Sequence, residues 1–164
     1  MAYAPPPPAP LSLGRHHARW AIALANGRTV HLRQDFSDIY FVVHADADRL
    51  FAALRAQRGH FLDADPCPPL ADLQHDPKFA DVDGPMHQSA DWPVPLPSLG
   101  VYHGCITFSD GMTRTRWLIH HGAASFPVAV TDDSVEALQA LLGLVSTPPI
   151  LAAGLAHLSP SSQA

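Results

Sequence analysis

Charged side chains are scarce in this sequence, and glutamate is nearly absent among them. They make up 15% of the residues, whereas globular proteins average about a quarter. The formal net charge is −5 with histidine neutral, so no general basic field attracts phosphates non-specifically. A local basic patch around Arg114 and Arg116 stays open. Glu136 is the only glutamate, so carboxylate catalysis would rest mainly on aspartates.

Paired cysteines and long apolar runs are also missing. Cys67 and Cys105 lie far apart and form no CxxC pair, which is typical of free thiols rather than of a disulfide framework. No apolar run approaches the ~20 residues that span a bilayer. The N-terminus lacks the basic and apolar regions of a secretory signal. We therefore expect a cytoplasmic protein with no membrane span.

Well-known catalytic fingerprints are absent: there is no nucleophile elbow, Walker loop or dinucleotide-binding glycine motif. Cys105 follows His103 by two residues, but shared strand faces do not assure hydrogen-bond reach, and buried thiols are usually inert. Asp72, His75 and Asp76 have the spacing of a metal-ligand face if they lie on a helix. Solvated acids are the simpler interpretation, so no metal site and no cofactor are predicted.

Hydrophobic periodicity predicts the main elements. Alternating apolar residues on both sides of Asn26-Gly27 predict a hairpin over 19–33. The apolar run at 39–43 predicts a strand that is buried on both faces. Apolar residues at helical spacing predict a helix that Asp46 caps. This helix is expected to run to about Arg58, with Arg49 on its exposed face. A last helix is predicted to begin at a Thr131 or Asp133 cap and to end at Gly143.

The pattern as a whole predicts an α+β fold, with one small mixed sheet and two to three flanking helices. We expect a disordered Pro-rich leader at 1–14, a single domain at 15–145 and a weakly ordered tail at 146–164, with a weak helix at 150–158. Eight prolines and seven aspartates fall within 60–98, which predicts a long Asp/Pro-rich loop with at most a turn of helix near 71–74 or 78–80. Loops this long tend to be functional.

The most informative stretch is the strand, turn and helix around Gly111. Alternating Ile106 and Phe108 predict a strand, the sequence through Asp110 to Gly111 is turn chemistry, and a helix follows to Gly122. Backbone N–H groups at a helix start, with Arg114 three residues after the glycine, are suited to bind an anion. Pairing of Arg114 with Asp110 in a purely structural role remains equally open.

The residues from Phe108 to Leu118, then Gly122, then Phe126 to Val130, resemble the C-terminal signature of the plasmid fertility inhibition factor family. They are also similar to the Gly-x-x-Arg turn of the ParB/sulfiredoxin-like fold. The resemblance covers roughly residues 37–143. One departure is clear: the family's Arg-His pair inside the turn is Met112-Thr113 here, which weakens a nucleotide or nuclease interpretation.

The resemblance implies a ParB/sulfiredoxin-like fold and an inhibitor of conjugative plasmid transfer in the bacterial cytoplasm. Its implied partner is the coupling-protein ATPase of a type IV secretion system, contacted without enzymatic turnover through the Gly111 turn and the Asp/Pro-rich loop. The matching positions, expected to bind, are Asp110, Gly111, Arg114, Arg116 and Trp117. The alternative is a ParB-like, metal-dependent nuclease or nucleotide hydrolase with Asp110 and Arg114 as catalytic residues. A third is an accessory protein of a mobile element with another protein target.

Overall fold

Two small sheets and five helices make up the structure, a computed structural model that describes residues 12–13, 17–37, 39–57, 67–143 and 150–151. The first sheet has four strands in the order β1-β2-β3-β5, and the second has five in the order β7-β6-β8-β4-β9. The strands are β1 Ser12–Leu13, β2 His17–Ala23, β3 Thr29–Asp35, β4 Tyr40–Asp46, β5 Val94–Pro95, β6 Ser98–Tyr102, β7 Cys105–Asp110, β8 Ser125–Thr131 and β9 Ile150–Leu151. The helices are α1 Ala47–Ala56, α2 Leu70–Leu73, α3 Pro77–His87, α4 Met112–His120 and α5 Asp132–Leu142.

The predicted hairpin forms strands β2 and β3 of the four-stranded sheet. Trp20 lies opposite Leu32 in the antiparallel register, and both side chains are buried in the core. Gly27 has a φ of +79° in the connecting loop, a conformation that costs glycine little. The hairpin prediction is confirmed, and the α+β class is confirmed by the two sheets and five helices together.

Strand β8 lies in the middle of the five-stranded sheet and supplies much of the core. It pairs antiparallel with β4 along its length and parallel with β6 over only two residue pairs, Ser98 with Ala129 and Leu99 with Val130. Beyond that short pairing, the Val101 N–H donates to the Ser134 hydroxyl of α5 at 3.0 Å. The four-stranded sheet is mixed too, because β3 pairs in parallel with β5. The sequence predicted one small mixed sheet, whereas the structure has two, and the hairpin belongs to the four-stranded one.

Helix α1 begins as predicted but uses one arginine in an unpredicted way. The Asp46 carboxylate accepts a hydrogen bond from the Arg49 backbone N–H at 2.9 Å, which caps the helix. Arg49 is exposed, as predicted, and its side chain also donates to the carbonyls of Leu142 and Gly143 at 3.1 Å and 2.9 Å. A guanidinium at these last carbonyls satisfies orphan acceptors and complements the dipole of α5.

The region predicted as a long Asp/Pro-rich loop contains regular structure. Helix α2 matches the predicted helical turn, but α3 has 11 residues and is much longer than the brief turn expected near 78–80. Asp76 caps α3 by accepting from the Lys78 N–H at 2.9 Å, and Pro77 stands at the helix start, where its missing N–H costs nothing. Pro85 lies inside the helix.

Several predictions concern residues outside the described part of the chain. Residues 1–11 of the predicted leader and 152–164 of the predicted tail are among them. Ser12–Leu13 pairs with β2, and Ile150–Leu151 pairs with β4 as a strand where the start of a weak helix was expected. The division into leader, single domain at 15–145 and tail stays a prediction. No helix within the described ranges is long and apolar enough to cross a membrane.

Candidate functional site

The turn at Gly111 joins β7 to α4 and is shaped by a close backbone contact. Gly111 has φ +83° and ψ 21°, the left-handed region, and its carbonyl accepts the first helical hydrogen bond from Thr115 at 2.9 Å. A Cβ at this position would lie 2.8 Å from the Cα of Pro97, which precedes β6. Both the conformation and the contact therefore require glycine here.

Asp110 and Arg114 form an ion pair across the turn. This is the structural pairing that the sequence left open beside an anion-binding role for Arg114. The Arg114 Nη2 donates to Asp110 Oδ2 at 2.7 Å, with the arginine side chain 15% exposed and the aspartate 71% exposed. This hydrogen bond holds the pKa of the Asp110 carboxyl below its usual value, and the Gly111 N–H adds to the effect. Among the described residues, no partner accepts from the buried Arg114 Nε.

A cavity of about 220 Å³ opens beside this ion pair. Two walls line the cavity. One wall is part of α3 and consists of Lys78, Asp81 and Val82. The other is the turn with the start of α4 and consists of Asp110, Gly111, Met112, Thr113 and Arg114. Two cationic and two anionic side chains thus face one small space beside a helix start. No side chain within the described ranges caps the first turn of α4. The arrangement is suited to polar groups of either charge.

Of the five predicted binding residues, the structure brings together Asp110, Gly111 and Arg114. Arg116 is half-buried and does not line the cavity. Trp117, a residue of α4, has no exposed surface, and its indole faces α3. Its indole Nε1 donates to Asp83 Oδ1 at 2.9 Å, and His87 Nε2 lies 3.2 Å from the same oxygen. A buried indole cannot contact a partner directly, so Trp117 contributes by joining the two helices that form the cavity walls.

Replacing Trp117 with phenylalanine is expected to lower the free energy of unfolding by about 2–3 kcal/mol, because the hydrogen bond to the Asp83 carboxylate is lost and the smaller ring leaves a void at a fully buried position. Asp83 is 47% exposed, so water solvates part of the abandoned carboxylate and keeps the loss modest. Urea unfolding at neutral pH measures the change. The matched control is Trp92→Phe, since that side chain is 78% exposed. Equal stability of the two variants would contradict the proposed role of the hydrogen bond.

The sequence did not single out Lys78 and Asp81 as cavity residues, since it predicted at most a turn of helix near 78–80 where the longer helix α3 lies. The sequence Asp76-Pro77 was the available signal, because an aspartate cap followed by proline is a common helix start. Asp72, His75 and Asp76 do not share one helix, because α2 ends at Leu73 and Asp76 caps α3, so the ligand face that one continuous helix would have given does not form. Within the described ranges, no three metal-ligating side chains are grouped to hold an ion.

Comparisons with known proteins identify one family and two similar proteins. A sequence model of the plasmid fertility inhibition factor family matches residues 42–143. Protein osa of Shigella flexneri is 36% identical over 76 residues, which are 44% of this chain and 40% of that protein. The chain thus matches less than half of the length of this relative.

A solved structure shares the fold. It is the crystal structure of the Oncogenic Suppression Activity Protein, a plasmid fertility inhibition factor, in a gold(I) cyanide derivative. The alignment covers 95% of this chain and 85% of that one, with a TM-score of 0.76 and 24% sequence identity. The similarity covers nearly the whole chain, so the two proteins share their overall fold.

Proposed function

The chain belongs to the plasmid fertility inhibition factor family, and from that premise we propose that it inhibits conjugative transfer of a co-resident plasmid. The proposed mechanism is non-enzymatic binding to the coupling-protein ATPase of a type IV secretion system, in the bacterial cytoplasm. The observation that carries the proposal is the extent of the family match, because residues 42–143 take in α3, β7 and α4, the elements that form the Gly111 cavity.

The proposed contact surface is the Gly111 turn together with the neighbouring part of α3. Asp110 and Asp81 are exposed beside the cavity, and Asp72 is exposed on α2 before it. A DNA-handling ATPase presents basic surfaces, and complementary charge would speed its encounter with these carboxylates. Lys78 and Arg114 add donors for acidic groups on the partner, so the surface can distinguish the arrangement of charges and not only their sign.

A mating assay tests the proposal, with donors that carry a conjugative plasmid and express the wild-type chain, Arg114→Ala or Arg55→Ala. Wild type is expected to depress transfer frequency, and Arg114→Ala to depress it much less. The reason is that loss of a charged hydrogen-bond donor typically weakens binding about tenfold or more, here binding to the ATPase. Arg55 is exposed on α1, so its variant should inhibit like wild type. Unchanged transfer with wild type across several plasmids would refute the proposed function.

A metal-dependent nuclease or nucleotide hydrolase is the second candidate. The observation that favours it is that α3 brings Lys78 and Asp81 to the same cavity as Asp110 and Arg114. Cations on phosphate and carboxylates on a divalent metal would then share one space. Incubation with labelled nucleotides or plasmid DNA and Mg²⁺ or Mn²⁺ tests it. Turnover that Arg114→Ala abolishes would favour the enzyme, and no turnover would favour the binding protein.

A further inference from the structure

The far end of α3 leads to a second exposed surface on the four-stranded sheet. We call it the Trp92 surface and define it by residues that share the outer face of that sheet and its rim: Arg19, His31, Arg33, Asp35 and Trp92. Arg19 and Arg33 are directly opposite each other in the β2–β3 register, while their neighbours Trp20 and Leu32 point into the core. The outer face is therefore polar and cationic over an apolar interior.

The Trp92 side chain is 78% exposed, the most exposed large apolar side chain of the described residues. Its backbone is nevertheless held in place on both sides. The Trp92 N–H donates to the Gln88 carbonyl at 3.2 Å, and the Pro93 carbonyl accepts from Arg33 Nε at 3.2 Å. Arg19 Nη2 donates to the Ala90 carbonyl. An indole presented from a fixed backbone loses little conformational entropy when a partner covers it.

The charge of this surface resides on the arginines. Arg19 Nε donates to His31 Nδ1 at 3.1 Å. Burial and the charge of Arg19 both lower the pKa of the His31 imidazole, which favours its neutral form. Arg33 Nη1 lies 2.8 Å from Asp35 Oδ1, and these side chains are 37% and 67% exposed. Both guanidinium groups thus contact carbonyls of the segment that carries Trp92, Ala90 for Arg19 and Pro93 for Arg33.

The residue types favour a protein as the occupant over a nucleic acid. Tryptophan and arginine are the side chains most enriched among residues that dominate protein–protein binding energy. A phosphate backbone would meet the exposed carboxylates of Asp35 and Asp91, in a chain of net charge −5. A protein partner can place its own charges to match this mixed rim, which a uniform polyanion cannot do.

We propose that the Trp92 surface is a docking site for the coupling-protein ATPase, on which an apolar pocket receives the indole and carboxylates face Arg19 and Arg33. The inference depends on the proposed function for the identity of the partner. It adds a contact that the family signature does not contain, because Trp92 and both arginines lie outside residues 108–130. Docking here and at the Gly111 turn would engage both ends of α3.

Binding of the purified chain to the purified cytosolic part of the ATPase is the first measurement. Trp92→Ala is expected to weaken the affinity at least about 30-fold, as for a central interface tryptophan. The double variant Arg19→Gln with Arg33→Gln is expected to lose about tenfold and to flatten the salt dependence. Tyr102→Ala, the control, removes an aromatic side chain that is 59% exposed and should bind within about twofold of wild type.

Photo-cross-linking in donor cells is the second measurement. A photo-reactive residue replaces Asp91, which leaves Trp92 intact, and the proteins that become cross-linked to it are identified. The control position is Asp48, exposed on α1. The proposal is supported if the ATPase is cross-linked from position 91 and not from position 48, and if Trp92→Ala abolishes this cross-link. The cross-linked site on the ATPase should then be an apolar pocket with acidic residues at its rim. The same outcome with a different protein keeps the docking surface and overturns the proposed partner.

Two outcomes overturn the docking surface while leaving fertility inhibition standing. One is wild-type affinity for Trp92→Ala in a chain that binds the ATPase. The other is a cross-linking pattern at position 91 that contains no protein, or only nucleic acid, while wild type still depresses transfer. If wild type neither depresses transfer nor gives a protein adduct, the proposed function and the docking surface both fail.

Discussion

Gly111→Ala is expected to lower the free energy of unfolding by about 3 kcal/mol, the combined effect of left-handed strain and overpacking. The left-handed conformation at φ +83° alone costs an L-residue about 1–2 kcal/mol. The new Cβ would also lie 2.8 Å from the Cα of Pro97 and 2.9 Å from Arg114 Nη2. The backbone contact cannot relax cheaply, and moving the guanidinium would break its ion pair with Asp110. Inhibition of plasmid transfer should therefore be lost as well.

Gly27→Ala is the matched control, because it separates conformational strain from the close contact. Gly27 has φ +79°, but within the described part of the chain no heavy atom beyond its two chain neighbours lies within 4 Å of the place that an alanine Cβ would take there. This variant should therefore lose only the strain of about 1–2 kcal/mol. Urea unfolding of both variants gives the difference, and mating assays below both melting transitions give the function. Equal losses of stability, or full inhibition by Gly111→Ala, would contradict the role assigned to Pro97 and the turn.

Acidification is expected to destabilise the fold by about 3 kcal/mol between pH 6.5 and pH 4 through His44 alone. Burial in strand β4 lowers the pKa of His44 from 6.5 to about 4. In the unfolded chain this imidazole binds a proton near pH 6.5, whereas in the folded chain it does so only near pH 4. Between pH 6.5 and pH 4 the unfolded state therefore binds more protons than the folded state, and the free energy of unfolding decreases as the pH is lowered. Above pH 6.5 the full contribution is present.

Urea unfolding of wild type and His44→Gln at pH 7, 5.5 and 4.5 tests this linkage. His44 Nε2 lies 3.0 Å from the Ser125 hydroxyl, and glutamine keeps a hydrogen-bonding group there without titrating in this range. The variant should lose stability much less steeply on acidification. His75→Gln, a substitution at an exposed position, should retain the wild-type slope. Identical slopes for wild type and His44→Gln would refute the assignment.

Local sequence chemistry was sufficient for the elements whose signals act within a few residues. Asn26-Gly27 predicted the hairpin, Asp46 predicted the start of α1, and Gly111 predicted the turn before α4. In each case the physical cause is short-range: glycine tolerates positive φ, and an aspartate carboxylate reaches the N–H groups of the next turn. The pairing of Asp110 with Arg114 was also within reach, because they are four residues apart across a single turn.

Helix α3 was predicted only as a brief turn near 78–80, because local and tertiary preferences disagree within it. Gly84-Pro85 is typical of a helix break, and the surrounding prolines and aspartates are typical of a loop. The helix is stabilised from outside by burial of Phe79 and Met86 and by the Asp83 carboxylate on the Trp117 indole. Tertiary contacts of this kind routinely override intrinsic propensity, and no local pattern reports them.

Short-range chemistry along the chain was enough to specify the α+β class, the hairpin, the glycine turn and the ion pair that this turn allows. These features depend on backbone freedom and on neighbours in sequence. The roles of distant residues came from packing instead: it brought Lys78 to the cavity of Arg114, turned Arg49 to the end of α5, and buried Trp117 between helices. Such roles depend on contacts between elements far apart in sequence, and these contacts exist only once the core has packed.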